Sequence, residues 1–281
     1  MKTYAFPPGG MPPMTDDPAA NNAHFTSSYA FIPAATMRDI TASYLPGWQD
    51  TSAWILARPL TGYAETFAQY AVEVEEGGGS DAPEPDRGAE AVIFVASGRM
   101  ELIIAGYTFS LGPGGYAYIP PSTRWTLRNE GEAPLKFHWI RRKYNMLEAY
   151  DPPSPIVTSD QEHAVRWMNK DENWGTTRFV DPHDIRHDMH VNIVTFKKGG
   201  RIPFAETHVM EHGLYVLQGT AKYLLNERWV DVGPGDFMWL RAFCPQACIQ
   251  TGDEDFRYLL YKDVNRHPSL SLATAGRSSV F

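Results

Sequence analysis

Cysteine is almost missing from this chain. Only Cys244 and Cys248 occur among 281 residues, and the three residues between them match neither a zinc ribbon nor a redox CxxC pair. Two resting thiols suit a reducing compartment. Long apolar runs are missing too: no stretch approaches the ~20 residues that a membrane helix needs. The opening MKTYAFPPGGMPPM places prolines and glycines where a secretory signal requires an apolar core. The expectation is a soluble, cytoplasmic protein with no membrane partner. Basic excess is lacking as well. With 25 Lys and Arg against 33 Asp and Glu, the net charge is −8, so small molecules rather than nucleic acid are the expected partners.

Sustained helical periodicity is scarce, and short alternating runs punctuated by Gly and Pro take its place. From Phe67 they read FAQYAVEVEEGGG, AVIFVASG, RMELIIAG, YTFSLGPGG, YAYIPP, RWTLRNEG and LKFHWIRRKY. That succession predicts an all-β fold of the sandwich or barrel kind. The proline-rich MLEAYDPPSPIVTSDQEH is the expected linker, with a short helix around HAVRWMNKDE after it. Residues 1 to 50 are irregular and are expected to pack across a lobe or subunit boundary.

The second half then repeats the first. HVNIVTFKKGG answers FAQYAVEVEEGG, and EHGLYVLQG answers EAVIFVASG; a shift of 121 positions carries Gly219 onto Gly98 and Gly235 onto Gly114. Two copies of a unit this long signify a duplicated domain rather than a solenoid. Each lobe, at roughly 130 residues, is large enough to bury its own core. We expect two antiparallel barrels, with lobes at 1–147 and 148–281.

The copies differ in one respect. Glu206, His208 and His212 fall within seven residues, and Gln246 follows downstream. The same shift lands these four on Pro85, Arg87, Ala91 and Trp125, none of which can hold a divalent ion. The sequence thus reads as a duplicated scaffold with one metal site. Two imidazole nitrogens with two oxygen donors suit a borderline-to-hard ion with open positions, Mn²⁺ or Fe²⁺ rather than structural Zn²⁺. Other polar clusters read differently. His183, His187 and His190 are expected in a loop preceding a strand, and Asp81, Glu84, Asp86 and Glu90 in a solvated loop. Tyr258, Leu260 and Lys262 alternate along FRYLLYKDV and share a face. If that face is interior, Lys262 needs an anion; on the surface it would snorkel.

Gly200-x5-Glu206-x-His208-x3-His212-x6-Gly219 resembles the first cupin motif, with Glu206 replacing its first His and His212 its usual Glu. Gly235-Asp236 through Pro245 is similar to the second motif, with Gln246 where a His is usual. This Glu, His, His, Gln set, together with RAFCPQA and YLLYKDVNRH, resembles the (S)-ureidoglycine aminohydrolases of purine catabolism over nearly the whole chain. The resemblance implies a bicupin, two tandem jelly-roll barrels, with one Mn²⁺ per chain in the C-terminal lobe. It implies a hydrolase that releases ammonia from (S)-2-ureidoglycine to give (S)-ureidoglycolate in allantoin degradation. Glu206, His208, His212 and Gln246 would hold the metal. Glu206, Gln246, Tyr223, Tyr258 and Lys262 would contact substrate, with catalytic roles for Glu206, Tyr258 and Lys262, in a cytoplasmic homo-oligomer. Two rival readings are a cupin dioxygenase with a mononuclear Fe or Mn site, and a non-catalytic bicupin binding protein. Gln246 weighs against the first, and the intact ligand set against the second.

Overall fold

The computed structural model describes residues 3–7, 14–21, 23–36, 38, 45–263 and 266. They form twenty strands and one short 3-10 turn, Pro18–Asn21. The fold is all-β, and its two halves are built alike. In the first, Ala89–Ser97 lies between Gly115–Ile119 and Leu135–Lys143, and the last of these pairs onward with Ala68–Ser80. In the second, His212–Gln218 lies between Phe237–Leu240 and Phe256–Asp263, which pairs onward with Met189–Phe196. Register repeats as well as order: Ala91 faces Arg141, and His212 faces Lys262. Gly98 and Gly219, with φ of 84° and 72°, make the same left-handed turn in each copy, as do Gly114 and Gly235 at 85° and 89°. Glycine recurs there because a side chain would strain that backbone.

Each barrel borrows an edge strand from the segment leading into the other. Tyr29–Ile32, ahead of the first barrel, pairs with Phe237–Leu240 of the second. Ile156–Ser159, ahead of the second, pairs with Gly115–Ile119 of the first. Both edges are thereby covered. The expected linker thus contains a strand, and the irregular N-terminal region crosses the lobe boundary. The helix expected around HAVRWMNKDE is absent among the described residues. Arg166–Trp167 instead pairs with Gly175 and Thr176, and Trp167 covers Gly175 so closely that a Cβ there would lie 2.7 Å from the ring. Hairpin pairing and that aromatic cover outweigh a weak helical propensity.

Three buried clusters hold the molecule together. The first barrel is filled by Val72, Ala91, Ile93, Leu102, Trp125, Phe137 and Trp139. The second is filled by Phe196, Leu214, Val216, Tyr223, Met238 and Tyr258. Between the lobes, Phe67 stacks on Tyr261 and Tyr116 on Phe179, with centroids 3.9 and 4.1 Å apart. Strand Ala89–Ser97 is consequently buried on both faces along nearly its whole length. Trp125 is 3% exposed at the place where the second lobe has Gln246. Trp125→Ala is expected to lower stability by about 3 to 5 kcal/mol, read as a fall in denaturant midpoint, with turnover per bound metal unchanged.

Several polar residues depart from expectation. Glu90 is not in a solvated loop. It is fully buried in Ala89–Ser97 at the lobe interface and accepts a 2.8 Å hydrogen bond from the Tyr118 hydroxyl. Burial, reinforced by Asp188, pushes its pKa up to about 8. Glu84 is also largely buried and ion-paired with Arg141, whereas Asp81 and Asp86 are exposed and pair with Arg128 and Lys143 at 2.7 and 3.0 Å. His183 lies in an exposed turn as expected, but His187 is buried against Tyr118 and His190 belongs to strand Met189–Phe196.

A carboxyl group whose folded pKa exceeds its unfolded value stabilises below the unfolded value, and that contribution is lost as pH rises through the folded one. For Glu90 the window runs from the ordinary carboxylate value of 4.5 to about 8. Glu90→Gln mimics the protonated form, so it is expected to raise the denaturation midpoint more at pH 8 than at pH 5. No helix among the described residues is long and apolar enough to cross a membrane.

Candidate active site

The second barrel contains a cavity of about 190 Å³, and Glu206, His208, His212, Tyr223, Gln246, Tyr258 and Lys262 all line it. His212 opens the strand His212–Gln218, Gln246 opens Gln246–Gln250, and Tyr223 sits centrally in Ala221–Leu225. Tyr258 and Lys262 alternate inward along Phe256–Asp263 with Leu260, so the shared face is the interior one. Glu206 and His208 reach the cavity from a loop rather than a regular strand. Glu206 bridges Gln246 through two reciprocal backbone hydrogen bonds of 2.9 Å, and the His208 carbonyl accepts one of 2.6 Å from Phe243. The loop is thereby fastened to the segment that carries the distant Gln.

The four candidate ligands stand in two couples. His208 Nε2 lies 3.2 Å from Glu206 Oε1, and Gln246 Nε2 lies 3.4 Å from His212 Nδ1. The two imidazole rings connect the couples, with centroids 5.1 Å apart. No group of three His, Cys, Asp or Glu side chains placed to hold a metal ion occurs among the described residues, and Gln246 is the fourth candidate donor. Its Oε1 accepts a 2.8 Å hydrogen bond from the Tyr223 hydroxyl and keeps a second lone pair. Burial, aided by His208 and Lys262, lowers His212 to about 3. Its imidazole is therefore neutral, the form that donates to a metal. A neutral imidazole, a carboxylate and an amide oxygen fit a divalent ion.

Around these donors the cavity is lined by two phenols and one ammonium group, those of Tyr223, Tyr258 and Lys262. Tyr223 and Tyr258 meet edge to face, centroids 6.0 Å apart, and burial raises both phenols well above their ordinary range. Both act as neutral hydroxyls. Burial, and then the charge of Arg178, lowers the pKa of Lys262, with the Asp263 carboxylate acting the other way. The first barrel offers a comparison. The shift that carries His212 onto Ala91 carries Lys262 onto Arg141, and Arg141 is paired with Glu84. Trp174, Val194, Ile202 and Leu260 supply an apolar wall.

His190, expected in a loop, and Arg178, not singled out by the sequence, stand beside Lys262 without lining the cavity. His190 faces Lys262 across the strands, is 2% exposed, and leaves its Nε2 without a partner. The signal was there: His190, Asn192 and Val194 alternate in MHVNIVTF, and Val194 lines the cavity.

The duplicated architecture has relatives. The Cupin domain family matches residues 70–141 and 192–261, the two segments that the internal repeat relates. The (S)-ureidoglycine aminohydrolase of Escherichia coli is 30% identical over 230 residues, covering 81% of this chain and 86% of its own. The chain belongs to the (S)-ureidoglycine aminohydrolase family of cupins. The Arabidopsis thaliana (S)-ureidoglycine aminohydrolase is 28% identical, over 91% of this chain and 82% of its own. A solved Pseudomonas aeruginosa protein described as glyoxylate-induced is 53% identical, with a TM-score of 0.88, covering 97% of this chain and all of its own. As a member of this family the chain is an enzyme, a bicupin hydrolase of ureide degradation.

Proposed function

We propose that the second barrel binds one Mn²⁺ through Glu206, His208, His212 and Gln246, and that the enzyme hydrolyses (S)-2-ureidoglycine to ammonia and (S)-ureidoglycolate. The observation that carries this reading is the gathering of all four donors with Tyr223, Tyr258 and Lys262 around one cavity. The substrate comes from the names of the relatives; the mixed nitrogen and oxygen donor set suits Mn²⁺ or Fe²⁺, and the family resemblance implies Mn²⁺. When bound, the ion supplies a Lewis acid and a template for orienting the substrate.

The α-carbon of ureidoglycine bears both an amine and a ureido nitrogen, so the amine leaves readily. The work of the protein is then orientation and protection of the ureido group. Lys262 meets the substrate carboxylate in a charge-assisted hydrogen bond. The Arg141–Glu84 pair supports this, because there the equivalent cation already holds a carboxylate of its own chain. Tyr258 and Tyr223 donate hydroxyl hydrogens alongside. The C–N bond to the amine breaks as a C–O bond to water forms, and ammonia leaves with a proton from that water. Glu206, the one carboxylate lining the cavity among the described residues, takes the proton in passing. A cytoplasmic homo-oligomer acting on small ureides, without nucleic acid or membrane partners, completes the proposal.

Ureidoglycine generated fresh in the assay tests this. The expected outcome is ammonia release faster than from ureidoglycine alone, with a single product enantiomer and no oxygen uptake. Oxygen consumption without ammonia would indicate a dioxygenase, and neither change a binding protein.

A further inference from the structure

We propose that Glu211 is a positioning residue through which the first lobe holds His212 in place for the metal; this rests on the metal reading above. Glu211 directly precedes His212 and is 2% exposed. Its carboxylate accepts hydrogen bonds from the backbone N–H groups of Glu65 and Thr66, at 2.6 and 2.8 Å, and from the Thr66 hydroxyl and the Trp239 indole N–H. Glu65 and Thr66 belong to the first lobe. The Glu211 N–H in turn donates to Asp263 Oδ1 at 2.6 Å. The next first-lobe residue extends the grip. The Phe67 ring would lie 2.5 Å from a Cβ added at Gly213, and it stacks on Tyr261. Residues 65–67 therefore grasp positions 211, 213 and 261, the immediate neighbours of His212 and Lys262.

The internal repeat supplies a control. The 121-residue shift carries Glu211 onto Glu90, Trp239 onto Tyr118, and His212 onto Ala91. Glu90 is likewise buried at the lobe interface and held by its aromatic neighbour, yet its Oε1 has no partner. A buried glutamate and an aromatic donor are thus common to both lobes. The full set of donors appears only where the next residue is a candidate ligand. A carboxylate held on both oxygens fixes the chain direction at that point, and coordination demands such fixing because a ligand ring must be held within a fraction of an ångström. A glutamine at 211 would present an amide NH₂ to groups that are themselves donors.

The test measures Mn²⁺ dissociation constants of the full chain, stripped and refilled, from the EPR signal of free Mn²⁺. Glu211→Gln is expected to weaken binding about 10 to 100-fold, as loss of an outer-sphere partner does. Thr66→Val, which removes the hydroxyl that meets both Glu211 and the Tyr261 hydroxyl and changes no charge, is expected to weaken it less but measurably. Glu90→Gln is expected to leave it unchanged. Equal Mn²⁺ affinity in the wild type and in folded Glu211→Gln and Thr66→Val proteins would overturn the proposal, as would equal weakening by Glu90→Gln. If Glu211→Gln does not fold, Thr66→Val decides alone. A wild-type protein that binds no divalent ion removes the metal reading itself, a distinct outcome.

Discussion

His208→Ala protein purified after growth with Mn²⁺ is expected to carry little metal and to release ammonia at less than about a hundredth of the wild-type rate. Outer-sphere changes alone typically cost about 10 to 100-fold, and His208 is proposed to touch the ion. The ring stands 3.2 Å from Glu206 and 5.1 Å, centroid to centroid, from His212, so its removal separates the two couples of donors. The fold should survive, since His208 sits on a loop and is partly exposed. Metal analysis beside a thermal melt separates loss of the ion from loss of structure. Full metal content and full activity in the variant would sink the ligand assignment.

Lys262→Met is expected to lower kcat/KM about 10 to 150-fold with normal metal content. The charge-assisted hydrogen bond to a carboxylate is worth roughly 1.5 to 3 kcal/mol, and methionine keeps the length and apolar stem of the side chain. Lys262 is half-buried, it faces His212 across the strands and lines the cavity, with Arg178 and Asp263 acting on it in opposite senses. Metal content measured beside kinetics distinguishes anchoring from coordination; unchanged kcat/KM would remove Lys262 from the site.

Much of the architecture is legible in the sequence because local signals carry it. Alternation in LKFHWIRRKY and RWTLRNEG marks strands, and glycines repeated at a shift of 121 mark the turns that fix them. The candidate site is legible for a similar reason: the spacing of Glu206, His208 and His212 is a local pattern, and Gln246 occupies a repeat position that is otherwise Trp125. What escaped depends on contacts between distant parts of the chain. Glu90 at the head of an apolar run looks like a loop boundary, and only packing of lobe on lobe reveals it as a buried group. Tyr29–Ile32 and Ile156–Ser159 are too short to show a period, and their partners lie far away in sequence. His190 reads both as the end of a loop and as the first residue of HVNIVTFKKGG, and only the strand Met189–Phe196 decides between them.

One catalytic metal centre in a duplicated scaffold is the core of this account, and titrating Mn²⁺ into metal-stripped enzyme while following ammonia release from ureidoglycine tests it directly. The stripped protein should be inactive, and the rate should rise in proportion to added ion and break at one Mn²⁺ per chain. Ammonia release by the stripped protein faster than from ureidoglycine alone, or a break at two ions per chain, would contradict it.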